Sequence, residues 1–175
     1  QAQLARTRHI DRMRIAPEGA RATPSAIKAI QQADLIVLGP GSLYTSVIPH
    51  LLVPEILAAL QARRAPLVWV ANVDEQEGET EGMDLDAHLA ALEAHGASGI
   101  IDGILATSAS SRRVGAVGGV PIAPTLHHAT DAEGRKRPPL FVRDIASRRT
   151  PHLHEPNLLS RALLRLPLRE PRRAR

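Results

Sequence analysis

Ala33-Asp34-Leu35-Ile36-Val37-Leu38-Gly39-Pro40-Gly41-Ser42-Leu43-Tyr44-Thr45-Ser46 runs from a continuous aliphatic segment straight into turn chemistry. Four apolar residues bounded in this way read as a strand covered on both faces, the kind found in a parallel sheet. The glycines that follow let backbone N–H groups approach an anion with no β-carbon in the way. Ser42, Thr45 and Ser46 add hydroxyl donors. In an open parallel sheet the ligand crevice lies beyond the carboxyl ends of the strands, which is where this loop falls. A plain strand-to-helix turn, with the glycines serving geometry and Ser42 capping a helix, fits the same residues. The spacing is neither a Walker loop nor the dinucleotide GxGxxG pattern, and it does not choose between the two readings.

Working outward, residues 9–15 (HIDRMRI) alternate loosely and predict an edge strand. Thr23-Pro24-Ser25 places a hydroxyl cap before proline, predicting a helix whose apolar face is Ala26, Ile27, Ala29, Ile30 and Ala33. Pro54-Glu55 opens a second helix, with Ile56, Leu57 and Leu60 as its buried stripe. Leu67-Val68-Trp69-Val70 is the next buried strand, so the order strand, helix, strand implies a right-handed parallel crossover. Leu85, Leu89 and Leu92 mark a third helix stopped at Gly96, residues 100–105 a third parallel strand, Leu140-Phe141-Val142 a short strand, and residues 157–166 a last amphipathic helix. Residues 108–111 and 115–124 read as loops.

Composition agrees with an α/β class. The chain has 175 residues, 43% hydrophobic, within the size of one domain. Its aromatics are Tyr44, Trp69 and Phe141, so the core is aliphatic, as in helices layered on a sheet. With no cysteine, disulfides, thiolate zinc and cysteine nucleophiles are excluded. No apolar run reaches the roughly 20 residues of a membrane span. A soluble, cytoplasmic protein with no membrane partner is expected. The net charge of +4 is uneven: Arg161, Arg165, Arg169, Arg172, Arg173 and Arg175 crowd the end, whereas residues 74–86 carry seven acids and no base. Without interleaved aromatics, no nucleic-acid partner is expected. Residues 1–166 are expected to form one domain and residues 167–175 a basic disordered tail.

After the second strand come Asn72, Gln76 and Gly78-Glu79-Thr80. A parallel neighbour brings them to the same sheet edge as the glycine loop, where an amide can read a sugar or a base. A polar loop satisfying its own backbone is the other account. Among the acids, some can face solvent or hold a magnesium ion bridging to phosphates. At His127-His128 and at His152 with His154 the spacing supplies at most two ligands, so these are read as surface histidines and no metal is assigned. Ser110-Ser111 with Arg112-Arg113 reads as an exposed loop. Asp102 serves either a turn or a ribose contact.

Together, residues 33–46, Leu51-Leu52-Val53, the Asn72 and Gln76 pair and Gly78-Glu79-Thr80-x-Gly82 resemble the gluconeogenesis-factor (YvcK-like) family, related to the CofD-like 2-phospho-L-lactate transferases. The likeness runs from about Ile10 to Leu92 and resumes over residues 151–164. It implies a three-layer Rossmann-like α/β domain with a mostly parallel sheet, represented here by its C-terminal half and incomplete at its N-terminus. It also implies a regulatory protein that binds a nucleotide-linked compound, a UDP-sugar such as UDP-N-acetylglucosamine, and is linked to central carbon metabolism, cell-wall synthesis and cell shape. By this resemblance Gly39, Pro40, Gly41, Ser42, Thr45 and Ser46 hold the diphosphate while Asn72, Gln76 and Thr80 read the attached group. The transferase branch implies the alternative: magnesium-dependent transfer from a nucleotide-diphosphate donor, with Asp74, Glu75 and Glu79 organising the ion. Half a sheet exposes an apolar edge or face, so association between copies is expected.

Overall fold

The computed structural model describes residues 10, 12–16, 18–108 and 120–168. Its centre is a four-stranded sheet of β1 (Ile36–Leu38), β2 (Leu67–Val70), β3 (Gly103–Thr107) and β4 (Leu140–Arg143), in the order β1-β2-β3-β4. All three pairings are parallel, with Ile36 opposite Leu67, Val68 opposite Gly103 and Ile104 opposite Leu140. The architecture is α/β and Rossmann-like.

Helices α1 (Pro24–Gln32), α2 (Ile48–Leu51), α3 (Pro54–Ala62), α4 (Leu85–Leu92) and α5 (Pro156–Leu163) complete it. The Thr23 side chain accepts from Ala26 N–H at the start of α1, Asp84 does the same for Ala87 at α4, and Glu155 for Leu158 at α5. The strand alternation sorts the core into two layers. Leu38, Leu67, Trp69, Ile104 and Ala106 pack with Leu60 of α3 and Leu85, Leu89 and Leu92 of α4. Val68, Val70 and Leu105 pack on the opposite face, against Leu158, Leu159 and Leu163 of α5. Every residue of β2 is therefore buried, as its unbroken LVWV sequence predicts.

Four expectations need correction. Ile10 and residues 12–15 form no strand; Ile10 is buried as a single anchor, and Met13 donates its N–H to His95 Nε2 at 3.0 Å. Strand β1 is not covered on both faces: it stands at the sheet edge and Val37 is 37% exposed. The third strand starts at Gly103, not residue 100. Ile100 and Ile101 enter the core ahead of it, and Asp102 Oδ2 ties down Leu67 N–H at 2.9 Å and Arg63 at 2.5 Å. Asp102 consequently sits at the amino-terminal end of the sheet, away from the carboxyl ends, and its role is structural. The last helix spans Pro156–Leu163 instead of 157–166. Ser110, Ser111, Arg112 and Arg113, and the basic run from residue 169 on, lie outside the described residues. No described helix is by itself long and apolar enough to cross a membrane.

Candidate functional site

The carboxyl ends of β1 and β2 carry both polar loops singled out in the sequence. At the first, the Gly39–Pro40 peptide is cis and Gly39 has φ +80°. A β-carbon there would lie 3.1 Å from Val70 O in a backbone region that L-residues rarely adopt, so only glycine lets the loop leave β1 against β2. At Gly41 a β-carbon would lie 3.2 Å from Ser46 Cβ, because the loop folds back on itself. That fold-back is a π-helical turn, Leu43–Val47, in which Ser46 and Val47 N–H both reach Ser42 O, at 2.9 and 3.0 Å. Leu43, Tyr44 and Val47 anchor it in the core, while Gly41, Ser42 and Thr45 stay half-buried and Pro40 and Ser46 exposed. The Ser42 side chain makes no capping bond. The octapeptide is thus neither interior nor part of a ladder.

The loop's donors face an anion supplied by the chain itself. Thr45 Oγ1 donates to Glu79 Oε1 at 2.7 Å and Tyr44 N–H to Glu79 Oε2 at 3.4 Å. Glu79 belongs to the loop after β2, so the GET motif meets the glycine loop as its parallel placement predicts. Asn72 and Gln76 are half-buried in that same loop. Thr80 is different. It is fully buried, its Oγ1 accepts Gln76 N–H at 2.8 Å and its N–H returns to Gln76 O at 2.9 Å. Thr80 therefore closes the turn that presents Glu79, and offers no exposed surface to a ligand.

A family model described as 2-phospho-L-lactate transferase CofD matches residues 1–117. The chain belongs to this family. Among curated relatives, the gluconeogenesis factor of Listeria monocytogenes is 41% identical over 95 residues, covering 54% of this chain and 30% of that protein. That of Halalkalibacterium halodurans is 45% identical over 96 residues, covering 55% of this chain and 30% of that protein. A crystal structure from Bacillus halodurans superposes with TM-score 0.68 and 32% identity, over 85% of this chain and 49% of that one. A second, described as a member of the upf0052 family, gives TM-score 0.51 and 42% identity over 55% of this chain and 32% of that one. The aligned stretches of this CofD-family chain thus cover less than a third of each of the two gluconeogenesis factors.

Two acids of this CofD-family loop are engaged by the chain's own donors. Glu79 is engaged as above, and Glu75 Oε2 accepts Gly82 N–H at 2.7 Å. Among the described residues, the group whose ligand atoms lie within 4.8 Å of one another is instead Asp84, Asp86 and His127. Backbone capping accounts for it: Asp84 caps α4, and Asp86 accepts His127 N–H at 2.6 Å and His128 N–H at 3.4 Å.

The histidines divide. His127, His128 and His152 are exposed, as expected of surface residues. His154 is a correction, because it is half-buried; burial lowers its pKa against the opposing pull of the Ala71 backbone. His88, 1% exposed, passed unnoticed in the sequence as one position of the α4 pattern. Its Nδ1 lies 2.7 Å from Asp84 O, and burial lowers its pKa against that bond and the charges of Glu75 and Asp84. Thr107, 4% exposed at the end of β3, also escaped because the strand was expected to stop at Leu105.

Proposed function

We propose that this chain supplies one wall of a binding site for a nucleotide-linked compound in the cytoplasm, a UDP-sugar such as UDP-N-acetylglucosamine. In this reading its role is regulatory, coupled to central carbon metabolism, cell-wall synthesis and cell shape. Gly39, Pro40, Gly41, Ser42, Thr45 and Ser46 cradle the diphosphate, and Asn72 and Gln76 read the attached group. The observation that carries the reading is the Glu79 carboxylate on Thr45 Oγ1 and Tyr44 N–H. Oxygen anions demand such a pairing of hydroxyl and main-chain donors, at the strand end where ligands of parallel sheets bind. Gluconeogenesis factors among the relatives support the regulatory half of the reading.

Titration calorimetry of the chain with UDP-N-acetylglucosamine tests it. Saturable binding is expected, with a loss of at least about tenfold in Gly41→Val, whose added side chain meets Ser46. Undiminished affinity in a folded Gly41→Val protein rejects the assignment. The family model's description as a transferase favours a second reading, group transfer from a nucleotide-linked donor. Turnover of such a donor, followed by phosphorus NMR, separates the two.

A further inference from the structure

Two buried polar atoms on the α5 side of the sheet have no hydrogen-bond partner: Thr107 Oγ1 and His154 Nε2. Both belong to the carboxyl edge. Thr107 ends β3, two residues after Leu105, so the strand alternation puts it on the same face as Leu105, Val68 and Val70, the face that α5 covers. His154 stands just before α5, bridged to Ala146 three residues past β4, with the Ala71 backbone beside its ring. His154 Nε2 is left as a ring nitrogen with no partner, able to donate or to accept according to the tautomer.

Asn72 joins them. The ladder continues past β2, with Ala71 N–H donating to Leu105 O at 2.9 Å. The register pairing Val70 with Leu105 carries Asn72 to the position opposite Thr107, on the same face. Three polar residues from three segments thus fall at the same end of the sheet. Buried polar groups are nearly always satisfied, and two unpartnered atoms at the carboxyl end of one sheet leave capacity there for a hydrogen-bonding partner.

We propose that Thr107 Oγ1, His154 Nε2 and Asn72 form a subsite for a hydroxyl of the ligand, on its ribose or its sugar, beside the diphosphate at the glycine loop. The proposal rests on the binding function above and adds Thr107 and His154 to the group-reading role given to Asn72. Chemistry narrows the occupant. A hydroxyl both donates and accepts, so it can satisfy an imidazole nitrogen in either tautomer together with a threonine hydroxyl. The threonine hydroxyl then donates to, or accepts from, the same group.

Calorimetry on the whole chain with UDP-N-acetylglucosamine and with inorganic pyrophosphate tests the subsite. Thr107→Val deletes the hydroxyl at constant shape, and His154→Asn deletes Nε2 while keeping a polar side chain. Each is expected to weaken UDP-N-acetylglucosamine about fivefold, the worth of one net hydrogen bond, and to leave pyrophosphate affinity unchanged. The Tm of Thr107→Val should equal or exceed wild type, because a methyl replaces an unsatisfied hydroxyl; a purely structural threonine would lower it. If both variants bind UDP-N-acetylglucosamine as wild type does while Gly41→Val loses it, the subsite is overturned and the binding function stands. If the unmodified chain binds neither probe, the binding function falls and the subsite with it.

Discussion

Glu79→Gln separates the two things its carboxylate does. It braces the glycine loop through Thr45 Oγ1 at 2.7 Å, with a weaker contribution from Tyr44 N–H at 3.4 Å, and it holds a negative charge where a diphosphate must sit. Glutamine keeps a carbonyl acceptor, so the brace loses only the difference between a charged and a neutral acceptor, about 1 kcal/mol. The charge works the other way. A carboxylate about 4 Å from one phosphate charge repels it by ~1 kcal/mol in water and ~4 kcal/mol at a surface-like effective dielectric of ~20. Glu79→Gln should therefore unfold at slightly lower urea, yet bind UDP-N-acetylglucosamine at least about fivefold more tightly in magnesium-free buffer. Paired urea melts and calorimetry in EDTA measure both. Affinity that is unchanged or weaker in the folded variant refutes the idea that carboxylate and diphosphate contest the same donors. Weakening confined to magnesium-containing buffer would favour the transferase reading.

Two further outcomes follow from the same geometry. Thr80→Val leaves Gln76 N–H without its acceptor in a part-buried turn, so urea unfolding should show a loss of about 1–3 kcal/mol while the folded fraction keeps its ligand affinity. His88 is held neutral by burial, with a folded pKa below its ordinary 6.5. Below about pH 6.5 the unfolded chain takes up a proton that the folded one refuses. Stability should fall there by about 1.4 kcal/mol per pH unit until the folded pKa is reached, and stay flat above. Comparing urea melts of wild type and His88→Gln between pH 7.5 and 5.5 checks this; parallel pH profiles would contradict it.

What could be read in the sequence was local. Thr23-Pro24 and Pro54 each mark a helix start, and the glycines after Leu38 place a loop at a strand end, because caps and turns act over a few residues. Hydrophobicity reports burial, not pairing. Ile100 and Ile101 look like the opening of a strand yet reach the core ahead of it, and the loose alternation of residues 9–15 hides two separate anchors, Ile10 and Met13. The site's chemistry was legible as residue types and not as partnerships. The Thr45–Glu79 bond joins residues 34 positions apart. Likewise Asn72, Thr107 and His154 fall at the same end of the sheet only once the β2–β3 register and the return before α5 are in place.

The outer rim of β1 is the feature with the widest reach. Ile36, Val37 and Leu38 pair on one side with β2, and no described strand lies on the other. A fifth strand zipped onto that side in the same direction would end beside Pro40 and deliver its own loop to the glycine turn. The diphosphate would then be gripped between two loops in place of one. Grip on the ligand and growth of the sheet would become a single equilibrium, each drawing the other forward.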